Sequence, residues 1–231
     1  HNLLLDNSTY VRTILSTSTS RNDYEEDRYF NLGELEEFKL RVVENNNIEN
    51  RISLSSYVNK KFNARFTARA GVLVENFQYD TQLDDRENAP DTDDDGEPDW
   101  RTVYSFEDGM TVLQAYAQGM YKFDAKWTLN AGLHSQYLTL NETFALEPRL
   151  SLNWNFAPKQ TLSVGFGVHH QTQALPILLL QQQIEPGVVI EPNRDLDFTR
   201  SDQFVLGYDI KLADNWRAKL ETFYQSFTYV T

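Results

Sequence analysis

The chain has 231 residues, no cysteine, a formal net charge of −13, and 40% hydrophobic and 13% aromatic residues. This composition argues against disorder, excludes disulfides, thiolate metal sites and thiol nucleophiles, and, with no cluster of Lys or Arg, argues against nucleic acid as a partner. The longest apolar run is "ALPILLL" at 174–180, too short for a transmembrane helix, whereas a membrane barrel stays open because its strands carry only an alternating signal.

The opening "HNLLLDNSTY" lacks the basic region, sustained apolar core and small-residue cleavage site of a signal peptide, and so reads as sequence from within something longer. "YVRTILSTST" and "RISLSSYV" read as strands. Phe66, Ala68, Ala70, Val72 and Val74 then face one way, with Arg65, Thr67, Arg69 and Glu75 the other. Residues 113–123 alternate with a small apolar face. From Trp127, the odd positions Leu129, Ala131, Leu133 and Tyr137 oppose Thr128, Asn130, Gly132, His134 and Gln136. The same period places Leu150, Leu152, Trp154 and Phe156 on one face, then Leu162, Val164, Phe166 and Val168, then Phe204, Leu206, Tyr208 and Ile210, then Trp216, Ala218 and Leu220. The C-terminus stops inside strand-like sequence.

Connections alternate in length. Short turns fall at 59–63, 123–126, 157–160 and 213–215, and most others are longer and polar, notably 80–108 and 172–199. Outer-membrane barrels sort their connections in this way, with short periplasmic turns and long extracellular loops. Several predicted strands run 12–16 residues, enough to cross a bilayer and project beyond it. Aromatics border the short turns (Tyr57, Phe62, Phe66, Tyr121, Phe123, Trp127, Trp154, Phe156, Trp216), as in an interfacial girdle. The polar face then lines a lumen, where Arg65, Arg69, Lys211, Arg217, Lys219 and Glu221 avoid lipid. The fold class is therefore all-β, an antiparallel transmembrane β-barrel segment of about 9–10 strands, with residues 1–231 forming part of one barrel domain.

"LNAGLHSQYLTLNETFALEPRLSLNWNFAPKQTLSVGFGVHHQTQALPILL" (129–179) resembles the barrel of TonB-dependent outer-membrane receptors of the Bacteroidetes type, in its "EPR" strand start, its turn with Pro and Lys, its "G.H.Q" strand and its "LP" loop. "SDQFVLGYDIKLADNWRAKLETFYQSF" (201–227) resembles the next hairpin, and "YVNKKFNARFTARAGV" (57–72) an earlier one. The resemblance implies a barrel of about 22 strands around a plug. It also implies localisation in the outer membrane of a Gram-negative bacterium, contact with outer-membrane lipid, and import of a scarce nutrient such as a metal chelate or a glycan. Energy would pass from TonB through a plug that this chain does not contain, and an extracellular lipoprotein is a possible partner at the mouth. Two alternatives stand beside this reading: a passive or structural barrel without TonB coupling, and a secreted, calcium-stabilised β-sandwich binding module.

Within the expected extracellular loop 80–108, "DTDDDGEPDW" follows the pattern D-x-D-x-D-G-x-x-D. Asp91, Asp93 and Asp95 take positions 1, 3 and 5 of a calcium loop, Gly96 the turn, the Glu97 carbonyl position 7 and Asp99 position 9. Position 12 is Thr102 where an EF-hand has glutamate, so the pattern is closer to the short calcium loops of extracellular repeat proteins. Hard oxygen ligands suit a structural Ca²⁺ over Zn²⁺. His169 and His170 are adjacent on a strand and point to opposite faces, which forbids joint binding of one metal; His134 stands isolated. No G-x-S-x-G, phosphate loop or dinucleotide fingerprint occurs, and no enzyme is expected. "ALPILLLQQQIEPGVVIEP" is expected to pack on a neighbouring loop or to contact a partner at the mouth.

Overall fold

The computed structural model describes residues 1–30, 38–86, 90–92, 96–185 and 187–228. In chain order the strands are β1 (Asn2–Asp6), β2 (Thr9–Phe30), β3 (Phe38–Lys61), β4 (Phe66–Asp85), β5 (Arg101–Lys122), β6 (Trp127–Leu138), β7 (Thr143–Ala157) and β8 (Gln160–Gln171). A short helix α1 (Leu175–Leu178) and a small hairpin, β9 (Gln182–Glu185) with β10 (Val188–Ile190), precede β11 (Thr199–Ala213) and β12 (Trp216–Thr228). All but β9 and β10 join one antiparallel sheet of ten strands in the order β1 to β8, β11, β12. Its edges β1 and β12 do not meet, so the wall is open.

The register explains why one polar and one apolar residue alternate throughout. Ala68, Gly119, Ala131, Leu150, Phe166 and Phe204 form one continuous cross-strand row. The adjacent row runs Asn59, Arg69, Gln118, Gly132, Arg149, Gly167. Successive side chains point to opposite faces, so the first row and its apolar neighbours face outward and the second faces inward. The outward face leaves Val72, Leu133, Leu150, Phe166 and Phe204 exposed. An apolar surface this extensive suits lipid rather than water.

The short turns occupy one end of the wall: 7–8, 62–65, 123–126, 158–159 and 214–215. Beside them the Trp127 and Trp154 rings stack at 5.0 Å between centroids, Phe62 stacks on Phe66 at 5.0 Å, and Tyr121 meets Phe123 edge-on at 5.0 Å. Two residues expected in this arrangement lie elsewhere. Tyr57 pairs with Gly71 on the inward face, and Arg65 sits in the turn before β4 rather than mid-strand.

At the other end two expectations change. Strands β2 to β5 have 22, 24, 20 and 22 residues, longer than the 12–16 expected, because above the apolar band the outward face turns polar and the contrast of apolar outside with polar inside is lost. On the outward face of β4, for example, Val74 is followed by Asn76, Gln78, Asp80 and Gln82. At about 3.3 Å per residue such strands reach roughly 65 Å or more, well beyond an apolar band of about 25 Å, and so stand clear of the bilayer. The loop expected over 80–108 accordingly narrows to 86–100, since β4 continues to Asp85 and β5 begins at Arg101. The connection 139–142 is also short, with Glu142 at φ 60, so long connections do not occur at every position of this end.

Candidate functional site

The inward face carries a polar network centred on Glu147, whose side chain is only 1% exposed. Its carboxylate accepts from His134 Nδ1 at 2.8 Å, Gln136 Nε2 at 2.7 Å, Arg149 Nη2 at 2.7 Å and the His170 backbone N–H at 2.6 Å. The cause lies in the ladder. Pairing of β7 with β8 ends at Arg149 and Gly167, leaving the backbone of His170 without a strand partner on that side. Glu147 takes its N–H and Gln136 donates to its carbonyl at 3.0 Å, so two side chains supply the hydrogen bonds that a further rung would have made.

The network continues across the wall. His134 Nε2 lies 3.0 Å from Gln114 Oε1, Gln114 Nε2 donates to Glu75 Oε2 at 3.0 Å, and Glu75 lies 3.7 Å from Arg51. His134, expected to stand alone, is thus a bridge between β5 and β7. His169 lines the recess described next, while the His170 ring comes within 3.5 Å of Glu147 and edge-on to Phe198 at 6.3 Å. Both neighbours therefore reach the same region, because β8 departs from the β7 ladder after Gly167 and strict alternation relaxes there. The sequence signal for Glu147 was the "EPR" itself: a carboxylate amid strand residues whose neighbours face lipid.

Toward the short turns the inward face hollows into a recess of about 840 Å³, lined among others by Arg69, Tyr116, Gln118, His134, Arg149 and His169. Gly71 shapes its side: a Cβ there would sit 2.6 Å from Tyr57 Cβ and 2.9 Å from the Tyr116 ring, so glycine lets both rings lie across β4. Tyr57 then receives the Arg69 guanidinium 4.6 Å from its centroid.

Above the network, the connection 172–198 folds onto the sheet. Leu175, Leu178, Leu179 and Phe198 form a buried cluster with Tyr79, Met110, Val112, Leu138 and Ala145, all inward-facing strand residues. Asn141 Nδ2 donates to the Leu196 carbonyl at 2.9 Å, and Arg194 bridges Asp108 at 2.8 Å and Glu191 at 2.9 Å. Its hydrogen bond to Asp108 holds the Arg194 guanidinium above its usual range. Of the apolar run expected to pack on a neighbouring loop or to contact a partner, Leu175, Leu178 and Leu179 pack on the strands themselves, where Leu138 and Val112 contribute to an apolar patch, while Ile184, Val188, Val189 and Ile190 are exposed.

The acidic segment is described in part: Asp93 and Asp95 lie outside the described residues. Gly96 takes φ +90 and donates its N–H to Asp91 Oδ2 at 3.0 Å. Asp99 accepts from the Thr92 N–H at 3.1 Å and from its hydroxyl, and the Glu97 carboxylate pairs with Arg86 at 2.6 Å. Thr102 belongs to β5 and donates to Asp84 at 2.7 Å, so it is not available to the loop. The described members of the set are thus Asp91, Glu97 and Asp99.

Residues 1–228 match the family model described as TonB dependent receptor-like, beta-barrel. The chain belongs to this family. The family consists of receptors and transporters of the Gram-negative outer membrane, not of an enzyme class, and this receptor barrel segment accordingly takes its place in that membrane. Among solved structures, the ferripyoverdine receptor of the outer membrane of Pseudomonas aeruginosa matches 93% of the chain at 12% identity with a TM-score of 0.68, over 30% of its own length. The copper transporter OprC matches 96% at 11% identity and 0.68, over 36% of its length. The RagAB peptide transporter matches 98% at 10% identity and 0.61, over 29% of its length. The receptor segment therefore spans roughly a third of the structures it resembles. No curated protein matches it. A single continuous sheet with an apolar outer face is also not the pair of packed sheets that a secreted sandwich requires.

Proposed function

We propose that this segment is wall of an outer-membrane importer that takes up a scarce nutrient with energy relayed from TonB through a plug inside the lumen. The observation that carries the reading is the inner face: a receptor-type wall whose lumen side bears the Glu147 network and an inward-folded connection, 172–198, which narrows the passage from the extracellular end. The test is uptake by cells producing the full-length receptor with and without TonB. Uptake that vanishes without TonB is the expected result; solute flux that persists equally without it would favour the passive barrel.

Assignment to the Bacteroidetes type, with a lipoprotein at the extracellular mouth, draws support from the hairpin β9–β10, whose Ile184, Val188, Val189 and Ile190 are exposed beside that mouth. Copurification of a lipoprotein that is lost on Ile184→Asp and Val189→Asp substitution is the expected outcome; an unchanged set of copurifying proteins would remove the assignment. For the acidic segment the reading is a structural Ca²⁺ held by Asp91, Asp93, Asp95, the Glu97 carbonyl and Asp99. The Gly96 turn, closed onto Asp91, favours it, and Arg86 meets Glu97 at its carboxylate, whereas the role assigned to Glu97 falls to its carbonyl.

A further inference from the structure

The wall forks between β7 and β8. Their ladder runs up from the turn end to Arg149 and Gly167 and stops there, although β7 stays paired to β6 as far as Thr143 and β8 stays paired to β11 as far as Gln171. One residue accounts for the break. The Asn155 N–H goes to the Lys126 carbonyl on the β6 side, so odd-numbered residues of β7 turn their backbone polar groups to β6 and even-numbered ones turn theirs to β8. Pro148 therefore presents a nitrogen without a hydrogen to β8, at the step where Val168 comes next in the register. Beyond it, Leu146 and Phe144 also turn their N–H and C=O groups to β8, and no rung joins them to it among the described residues.

Side chains close the fork. His170, which a continued register would set opposite Leu146, gives its N–H to Glu147 and its carbonyl to Gln136, and its ring Nδ1 is buried with no hydrogen-bond partner. Val164 and Phe166 are exposed on the outward face, yet Val168, next in that series, is only 5% exposed, and His170 after it reaches Glu147. The outward series of β8 thus turns into the gap. The connection 172–198 is tied to the same side of the fork: it leaves β8 after Gln171 and returns at Thr199, and these two residues are partners in the β8–β11 ladder. Both of its ends therefore move with β8 and β11, whereas Leu138 and Ala145, which it covers, belong to β6 and β7.

We propose that this fork is a two-state seam in the wall. Forked, it lays the connection 172–198 over the inner face; zipped, with Leu146 paired to His170 and Phe144 to Thr172, it carries the connection away from Ala145 and clears the lumen beside β7. The inference rests on the reading of 172–198 as narrowing the passage. Each state meets a need that the other leaves open. The forked one buries Leu175, Leu178, Leu179 and Phe198 but leaves the backbone of Leu146 and Phe144 without rungs. The zipped one supplies those rungs and returns His170 to the outward series, at the expense of the apolar cluster. Pro148 holds the balance toward the fork, because in the zipped state the Val168 carbonyl meets a residue with no N–H to give.

The test uses the full-length receptor carrying Ala145→Cys with Gln171→Cys. In a zipped seam these positions face each other as a non-hydrogen-bonded pair, with Cα atoms about 4.5 Å apart, where a disulfide fits. Ser151→Cys with Gly165→Cys sets the reference rate, since these residues are already partners and a Cβ at Gly165 would sit 3.9 Å from that of Ser151. Phe144→Cys with Thr172→Cys serves if the first pair fails to fold. The segment has no cysteine of its own, and diamide takes up two electrons and two protons as the S–S bond forms. The expected result is closure at 145–171, slower than at the reference pair, with the Leu146 amide exchanging freely before oxidation and protected after it. Pro148→Ala returns one donor to the zipped state alone, and one hydrogen bond shifts such an equilibrium by about fivefold, so closure should speed by that factor. Thiols that stay reduced at both test pairs while the reference pair closes would overturn the seam. Closure that leaves the Leu146 amide exchanging freely and ignores Pro148→Ala would overturn it too, because local unfolding would then have brought the thiols together. Uptake reads the importer assignment separately: a seam that closes and protects Leu146 in a receptor that never transports keeps the seam and removes transport, and transport by a receptor whose pairs never close does the reverse.

Discussion

The half of the wall built from β2 to β5 and the half built from β6 to β8 reach beyond the membrane by different means. The first simply continues its ladder for 20 to 24 residues per strand, with ion pairs across the upper rungs such as Lys39 to Asp27 at 2.7 Å and Arg41 to Asp27 at 2.9 Å. The second has strands of 12 to 15 residues, and its extracellular structure comes from the connection 172–198 folded back over the inner face. The first extends itself by backbone pairing, whereas the second uses side-chain substitutes for missing rungs and a connection whose apolar packing also covers Tyr79, Met110 and Val112 of the first. Damage to side chains should therefore spread on the second half and stay local on the first.

The sharpest way to break that contrast is Glu147→Ala. Removing one partner from a buried ion-paired group leaves donors unpaired and costs about 3–5 kcal/mol. The full-length receptor should lose thermal stability by that order, with hydrogen exchange rising first at His170 and at 172–198 while β2–β5 keeps its protection. Leu178→Ala comes next, at about 2–5 kcal/mol for a leucine left 1% exposed in the cluster. Its expected signature is faster proteolysis within 172–198, with passive leakage through the barrel as an independent readout; resistance equal to the parent's would show that the cluster does not hold the connection in place.

A smaller and more local effect is expected on chelating calcium. Protease sensitivity should rise only between 86 and 100 and leave both halves of the wall intact, and Asp91→Asn should make the loop insensitive to the chelator. Asp27→Asn is smaller again: its pairs are exposed and salt-screened, so the upper β2–β3 rungs should stay protected, with any loss disappearing in high salt. The smallest effect belongs to the turn end. Backbone N–H groups of Lys126 and Trp127 donate to Asp124 at 2.7 and 2.9 Å and hold its carboxyl below the usual carboxylate range. A depressed folded pKa gives stability that is full above the unfolded value of about 3.9 and lost as pH falls through the lower folded value. Exchange of those two amides should accelerate only in that acidic window, and Asp124→Asn should abolish the pH step.

Much of this was readable in the chain and some was not, for identifiable reasons. Trp127, Leu129 and Leu133 against Asn130 and His134 announced a strand and its two faces because lipid and lumen impose opposite demands at a period of two. Above the membrane the outward face meets water and turns polar, the lipid demand disappears, and so the upper reaches of β4 and β5 looked like loop although Tyr79 and Met110 pack inward there. Tyr57 was misplaced because its orientation depends on its register with Gly71, two strands' pairing away from any local cue. Glu147 was visible in "EPR" as a motif, but its four donors come from β6, β7 and β8.

The sequence by itself determined an antiparallel transmembrane wall, its turn end and its lipid face, since each of these follows from local periodicity and short-range turn chemistry; its resemblance to a receptor family rested on the motifs in 57–72, 129–179 and 201–227. Only the tertiary structure decided which inward charges are satisfied, where 172–198 rests, and that Arg69 opens onto a recess lined, among the described residues, by no Asp or Glu. Those outcomes depend on cross-strand register and on loop packing between residues up to about a hundred positions apart, such as Tyr79 and Leu178, and no local pattern encodes them.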